Sequence, residues 1–294
     1  MLAGFIATAQ LKLLRYPGGM AQIEQSLRSR LGDAYRALSS WGLDPRKTAS
    51  AVMGSRRVRR NRREYLKQAT QLPSGGDFPI RGSYPIYGEW NEPAGQASGH
   101  YFHQDLLVAR KIHEEHPQRH IDVGSSIYGF VSHVASFRDI DVIDIRPGPT
   151  TIPGITFLQA DIMNLPEDFF GIADSISCLH ALEHFGLGRY GDPVDMSGWR
   201  KGLVALASLA QPEATVYVSV PTGNEQRVEF NAHRVFALPF LRNALEELFD
   251  IESLAFVDDA GDLHEDVDPF GATAEGSFEA HYGCSIWTLR KSAS

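Results

Sequence analysis

The run His120-Ile-Asp-Val-Gly-Ser-Ser-Ile-Tyr-Gly129, followed by Asp141-Val-Ile-Asp-Ile145, restricts the chain more than any other stretch. An apolar segment ends on Asp122 and turns through Gly124-Ser125-Ser126. Ile127, Phe130, Val131, Val134 and Ala135 then recur at helical spacing, which predicts a helix over 127–138. A second apolar segment ends on Asp144. Strand, tight turn, helix and strand make a βαβ unit, whose two strands must lie parallel. A turn of small residues lets a ligand approach the backbone, and the helix N-terminus behind it offers free N–H groups. Asp144, twenty residues after Gly124, stands where an acid accepts hydrogen bonds from ribose hydroxyls. The same residues also fit a plain βαβ unit with a Gly/Ser turn and no ligand.

The rest of the chain divides in character near residue 100. Residues 1–100 read as a helical and irregular extension. Ile23, Leu27, Leu31, Tyr35 and Leu38 predict an amphipathic helix over about 20–41. Ser55-Arg-Arg-Val-Arg-Arg-Asn-Arg-Arg63 holds six arginines in eight residues. Arg56–Arg63 can bind phosphates or an anionic membrane surface, or form a solvated helix face. Residues 71–100 carry Pro and Gly and read as irregular, with the aromatics Phe78, Tyr84, Tyr87, Trp90 and the following Tyr101 fit either to line a pocket or to pack on the domain surface.

Residues 101–294 alternate between helical and extended patterns. Helices are expected over 102–115, 197–210 and 238–248. Strands are expected over 119–123, 140–145, 155–158, 173–179 and 213–220, with 251–257 and 282–289 as a closing pair around an acidic loop. This predicts an α/β fold: a Rossmann-like, doubly wound, mostly parallel seven-stranded sheet with a terminal antiparallel hairpin. In such sheets ligands bind beyond the carboxyl ends of the strands.

Bulk properties narrow the function classes. A net charge of −8 argues against general nucleic-acid binding. Cys178 and Cys284 lie far apart inside apolar runs, which suits reduced, buried thiols in a cytoplasmic protein. No apolar run reaches the length of a membrane span. The apolar start, Met1-Leu-Ala-Gly-Phe-Ile, lacks the basic region of a signal peptide.

Three acids follow apolar strands in order: Asp122, Asp144 and Asp161. Asp122 suits orienting the turn and, through water, a ligand amine; Asp144 suits the ribose hydroxyls, and Asp161, with Ile162 beside it, an adenine amine. Here the chain resembles the class I S-adenosylmethionine-dependent methyltransferases, through Ile121-Asp-Val-Gly-Ser-Ser126, Val142-Ile-Asp-Ile145, Gln159-Ala-Asp-Ile162 and Ser177-Cys-Leu-His180. The resemblance implies S-adenosylmethionine as cofactor, held by Asp122, Gly124, Ser125, Ser126, Asp144, Ile145, Asp161 and Ile162. It also implies that the strand ending at His180 lies under the reactive methyl group, with His180 among the cofactor-binding residues. Ser126 and Tyr128 depart from the family's usual glycines.

A second set is His180-Ala-Leu-Glu-His-Phe-Gly-Leu-Gly-Arg-Tyr-Gly-Asp192, Val220-Pro-Thr-Gly223 and Phe230-Asn-Ala-His-Arg-Val-Phe236. These strings resemble an uncharacterised domain family with a methyltransferase-like core, found among other places near surface-polysaccharide genes. Both loops follow strands, where a cleft is expected. His184 or His233 suits a general base for a hydroxyl acceptor. Glu183, Arg189, Tyr190, Asn231 and Arg234 are expected to hold a small polar acceptor, such as a sugar or nucleotide sugar, with the arginines clamping a carboxylate or phosphate. His180, Glu183 and His184 are spaced closely enough to hold a metal, but not in the metalloprotease order, and no metal is assigned. A non-catalytic scaffold that keeps the fold is the second reading. A nicotinamide-dependent oxidoreductase is a third, although Gly124-Ser-Ser-Ile-Tyr-Gly129 supplies only part of its glycine turn.

Overall fold

A computed structural model describes residues 35, 38, 39, 41–71, 80–87, 97–148 and 151–292. The expected helix over 20–41 and the aromatics Phe78 and Trp90 fall largely or wholly outside these residues. The chain divides into two compact units, residues 1–96 and 97–294.

In the first unit the main described element is α1 (Pro45–Ala69). All six arginines between 56 and 63 are exposed on it. At 3.6 residues per turn they cover more than half the helix circumference, so the charge wraps around α1 and does not gather on one face. No helix among the described residues is long and apolar enough to cross a membrane.

The second unit is built on one eight-stranded sheet in the order β3-β2-β1-β4-β5-β10-β8-β9. Its strands are β1 (His120–Val123), β2 (Ile140–Asp144), β3 (Ile155–Gln159), β4 (Ala173–Leu179), β5 (Ala210–Thr222), β8 (Asp250–Val257), β9 (Leu263–His264) and β10 (Gly283–Arg290). The first five run parallel, whereas β10 is antiparallel to both β5 and β8. The fold is therefore Rossmann-like, with the antiparallel closing pair expected from the sequence. The two-residue β9 adds an eighth strand at the edge. A separate hairpin, β6 (Arg227–Glu229) with β7 (His233–Val235), is not predicted by the sequence pattern.

The strands read as continuous apolar runs because both sheet faces are covered. Ile143, Ile176 and Val218 pack toward α4 (Gly198–Leu209) and α5 (Leu238–Glu246). On α4, Leu203, Leu206 and Leu209 are fully buried. On the other face, Ile140, Val142 and Tyr217 pack against Leu107, Val108 and Ile112 of α2 (His100–Glu115) and against Phe130 and Val134.

The helix expected over 127–138 is much shorter and irregular. Ile127–Val131 forms a π-turn, and only Ser132–Ala135 is α-helical, as α3. The break is at Gly129, which has φ −101° and ψ −108°. The buried Asp105 carboxylate of α2 presses on this residue: a Cβ at 129 would lie 2.4 Å from Asp105 Oδ2. Gly129→Ala should therefore cost about 1–3 kcal/mol as an overpacking change, read from urea denaturation midpoints. A cost below about 0.5 kcal/mol would show that the carboxylate swings aside freely.

Candidate functional site

The carboxyl ends of the parallel strands and the amino end of β10 share one edge of the sheet. The turn after β1 is held there by a buried polar network. Asp122 Oδ1 accepts from the hydroxyls of Ser125 (2.6 Å) and Ser177 (2.7 Å), and Oδ2 accepts from the Ser125 N–H (3.0 Å). The Ser125 hydroxyl oxygen accepts the Leu179 N–H, and His120 lies between Ser175 (2.8 Å) and Ser177 (3.1 Å). The network ties β1 to β4 directly beneath the turn. Burial pushes the Asp122 carboxyl up to about 6, against the serine hydrogen bonds that pull it down. Burial likewise drops His120 to about 3, so its ring is neutral.

Above this floor Gly124 turns with φ +73°, donating its N–H to the Ile143 carbonyl. A Cβ there would approach Ala181 Cβ to 3.1 Å and narrow the cleft. The cleft has a volume of about 560 Å³, and its walls include Gly124, Asp144, Ile145, Asp161, Ile162 and His180. It continues into a wider space of about 1140 Å³ lined by Ser125, Ser126, Arg189 and Tyr190. Tyr128 is 97% exposed and leaves the bend open.

Two of the wall acids already have partners. Asp161 accepts the Met163 N–H at 2.9 Å and so caps the 3-10 turn Ile162–Asn164. Asp144 holds Arg146 in a fork: Nε to Oδ1 at 2.9 Å and Nη2 to Oδ2 at 2.6 Å. The Arg146 guanidinium also lies 4.5 Å over the Tyr190 ring. The Arg146 side chain is half exposed, so exchanging this pair for ligand hydroxyls costs little.

The loop after β4 forms the far wall. Glu183 is buried and accepts from His180 Nδ1 at 2.7 Å. Burial pushes Glu183 up, but the adjoining His180 overrides it and holds the carboxyl below its usual range. Burial opposes charge on His180 too, and Glu183 outweighs it, raising His180 well above an ordinary histidine. His184 differs. Its Nδ1 donates to the Ala232 carbonyl at 2.7 Å, and burial holds it below the usual histidine value. Its Nε2 is left with a lone pair, 3.7 Å from Glu183 Oε1. His184 lines both parts of the cleft. Asp192 folds the glycine-bearing loop by accepting the N–H groups of Gly186, Gly188 and Tyr190.

Several residues assigned from sequence lie elsewhere. Asp122 is fully buried under the turn, with both oxygens committed, so it positions the turn and cannot reach a ligand amine. Arg234 is buried, and its guanidinium donates to the carbonyls of Glu183 (3.2 Å) and Phe185 (2.7 Å); it anchors the loop and clamps no acceptor. Glu183 sits behind the two histidines. Asn231 is exposed at the β6–β7 turn. His233 packs against Tyr282 with ring centroids 5.4 Å apart and lines neither space. Arg189 does line the wider space, although one of its nitrogens donates to the Ala232 carbonyl at 2.9 Å. Sequence reasoning gives no role to Arg146, which follows Asp144 by two residues, or to Asp105. It gives none to Asp192 either, although this residue closes the Gly-rich string.

The strand order, the reversed closing strands and a cleft at the carboxyl edge define a Rossmann-like α/β domain. A family model described as Caenorhabditis protein of unknown function, DUF268, matches residues 155–249, from β3 through α5. No curated protein matches the chain in sequence. Among solved structures, the chain is similar to the N-methyltransferase NodS from Bradyrhizobium japonicum WM9 in complex with S-adenosyl-l-homocysteine. The identity is 11% and the TM-score 0.42, over 77% of this chain and 98% of that one. It is also similar to the 1,6-didemethyltoxoflavin-N1-methyltransferase of Burkholderia thailandensis, at 14% identity and TM-score 0.45, over 64% and 78% of the two chains. The [4+2]-cyclase SpnF is similar as well, at 16% identity and TM-score 0.43, over 60% and 76%.

Proposed function

We propose that the chain is an S-adenosylmethionine-dependent methyltransferase acting on an oxygen or nitrogen of a small polar acceptor, such as a sugar or nucleotide sugar. The observation that carries this reading is the open cleft. A left-handed Gly124 turn forms its floor, and Asp144 and Asp161 stand on its wall in the order a nucleoside requires. The residues present fit an adenosyl group. Asp144 meets ribose hydroxyls once Arg146 releases it, and the free Asp161 oxygen accepts from an adenine amine beside Ile162 and Met163. The cofactor, when bound, supplies a methyl group already activated on a sulfonium. The chain's own part is to align the acceptor, exclude water and take a proton. His184 suits the proton transfer, because Ala232 fixes its tautomer and Glu183 stands ready to stabilise the imidazolium.

The Arg146–Asp144 fork favours a second reading, a scaffold that keeps the fold but binds no cofactor. Calorimetry separates the two. S-adenosylmethionine and S-adenosylhomocysteine are expected to bind, NAD not to bind, and Asp144→Ala to abolish binding. Arg146→Ala should keep or tighten it, because the fork must open for ribose. Silence toward all three ligands would establish the scaffold.

A further inference from the structure

Three side chains from three places in the fold converge behind the far wall: His100 in the first turn of α2, His180 just past β4, and Cys284 at the second position of β10. One ligand atom from each lies within 4.8 Å of the other two. The cluster draws on chain positions 184 residues apart, and the reversed strand β10 is what delivers Cys284 to this edge.

The hydrogen bonding around the cluster is one-sided. His180 Nδ1 is committed to Glu183, while Nε2 is buried with no hydrogen-bond partner among the nitrogens and oxygens around it. The group beside it is the Cys284 thiol, whose sulfur is only a weak donor and acceptor. The His180 side chain is only 3% exposed. An imidazole nitrogen is thus left without a strong match in either protonation state: as N–H it lacks an oxygen acceptor, and as a lone pair it lacks an N–H or O–H donor. His100 stacks on His180 with centroids 5.3 Å apart and faces the Tyr282 backbone with its own ring. Asp259 in turn grips the N–H groups of His281 (2.8 Å) and Tyr282 (2.7 Å), fixing the approach to Cys284. A histidine with one nitrogen on a carboxylate and the other turned toward a potential metal ligand is the arrangement metal-bound histidines adopt. His180 also holds a left-handed backbone with φ +49°, a conformation that persists in a non-glycine residue only when its surroundings impose it.

We propose that His100, His180 and Cys284 form a zinc-type cation site with one coordination position open, in which Glu183 orients His180. Two imidazole nitrogens and one thiolate suit a borderline cation. With Zn–N about 2.0–2.1 Å and Zn–S about 2.3 Å, a tetrahedral site needs ligand separations of about 3.4–3.7 Å. The three ligand atoms now lie within 4.8 Å of one another, so binding requires the half-buried His100 ring to move toward His180 and Cys284. The charges also close, because the divalent ion, the Cys284 thiolate and the Glu183 carboxylate sum to zero. On binding, the Cys284 thiol and the Nε2 position of His180 each lose a proton to solvent, so that His180 serves as a neutral ligand with Nδ1–H still on Glu183. The site stands on these residues alone and does not depend on methyl transfer.

Cobalt titration of the metal-free full chain tests it. One Co²⁺ per chain should bind, with a near-ultraviolet sulfur-to-cobalt charge-transfer band and the strong visible bands of four-coordinate cobalt, all displaced by Zn²⁺. Cys284→Ser should remove the charge-transfer band, whereas Cys178→Ala, at the other buried thiol, should keep it. His100→Ala should weaken binding at least about tenfold, and Glu183→Gln about 10–100-fold with the band retained. Absence of the band at saturating cobalt, its survival in folded Cys284→Ser, or unchanged affinity in His100→Ala would each overturn the proposal. If Cys284→Ser does not fold, the His100→Ala titration decides, since that change trims a side chain outside the sheet.

Discussion

Asp122→Ala should cost the protein about 3–5 kcal/mol and collapse the turn that floors the cleft. The substitution strands three buried donors at once: the Ser125 hydroxyl, the Ser177 hydroxyl and the Ser125 N–H. Each unpaired buried donor costs about 1–3 kcal/mol, and partial relaxation limits the sum. Chemical denaturation measures the loss, and a cost below about 1 kcal/mol would remove Asp122 from its positioning role. A second signature comes from pH. Burial raises the Asp122 carboxyl to about 6, above its ordinary 3.8, so the folded state holds this proton more tightly than the unfolded chain does. Its contribution to stability is therefore largest below about pH 4, falls as pH rises to about 6, and is level beyond. At 1.36 kcal/mol per tenfold change in proton affinity, the difference is roughly 3 kcal/mol. Asp122→Asn removes the titration, so wild type should lose ground relative to this variant between pH 4 and pH 7. A flat difference would show that the carboxylate is not held in a dry site.

The largest effect on activity is expected at His184. Under the proposed function, His184→Ala should lower turnover by about 10²–10⁴-fold while leaving cofactor affinity within a few-fold, because the ring supplies the proton acceptor. His233→Ala should change turnover little, since that ring packs on Tyr282 outside both parts of the cleft. The pH profile carries the sign. Under the proposed function the neutral ring is the working form, and burial holds its pKa below the usual histidine value. The proposed methyl-transfer rate of the unsubstituted protein should therefore stay level through neutrality and fall only as pH drops below the ordinary histidine range. An acid limb above pH 7, or a His184→Ala enzyme with unchanged turnover, would transfer the base role to another group.

The sheet was legible because burial on both faces forces uninterrupted apolar runs. Ile121, Val142-Ile143 and Ile176 announce their strands without any partner being known. The cleft walls were legible for a related reason: in a parallel sheet the carboxyl ends share one edge, so Gly124, Asp144 and Asp161 must gather there. What stayed hidden depends on side-chain direction and on contacts distant in sequence. Nothing in the string around Arg234 reveals that its guanidinium faces the carbonyls of Glu183 and Phe185, 51 and 49 residues away. Arg146 follows Asp144 so closely that its folding back onto that acid shows only in the folded chain. The short helix after the turn escaped because helical periodicity at Ile127, Phe130 and Val134 carries no record of the Asp105 carboxylate pressing on Gly129.

The placement of β10 has a consequence for how the molecule assembles. This strand follows every other strand of the sheet in chain order, yet it fills an interior seat, with β5 on one side and β8 on the other. A nascent chain that has emerged only as far as residue 282 carries two unpaired ladder edges on long apolar strands, the configuration most prone to pairing with a neighbouring molecule. Completion of this sheet is therefore a closing step and not a progressive one, and the ribosome must release β10 before either edge is protected.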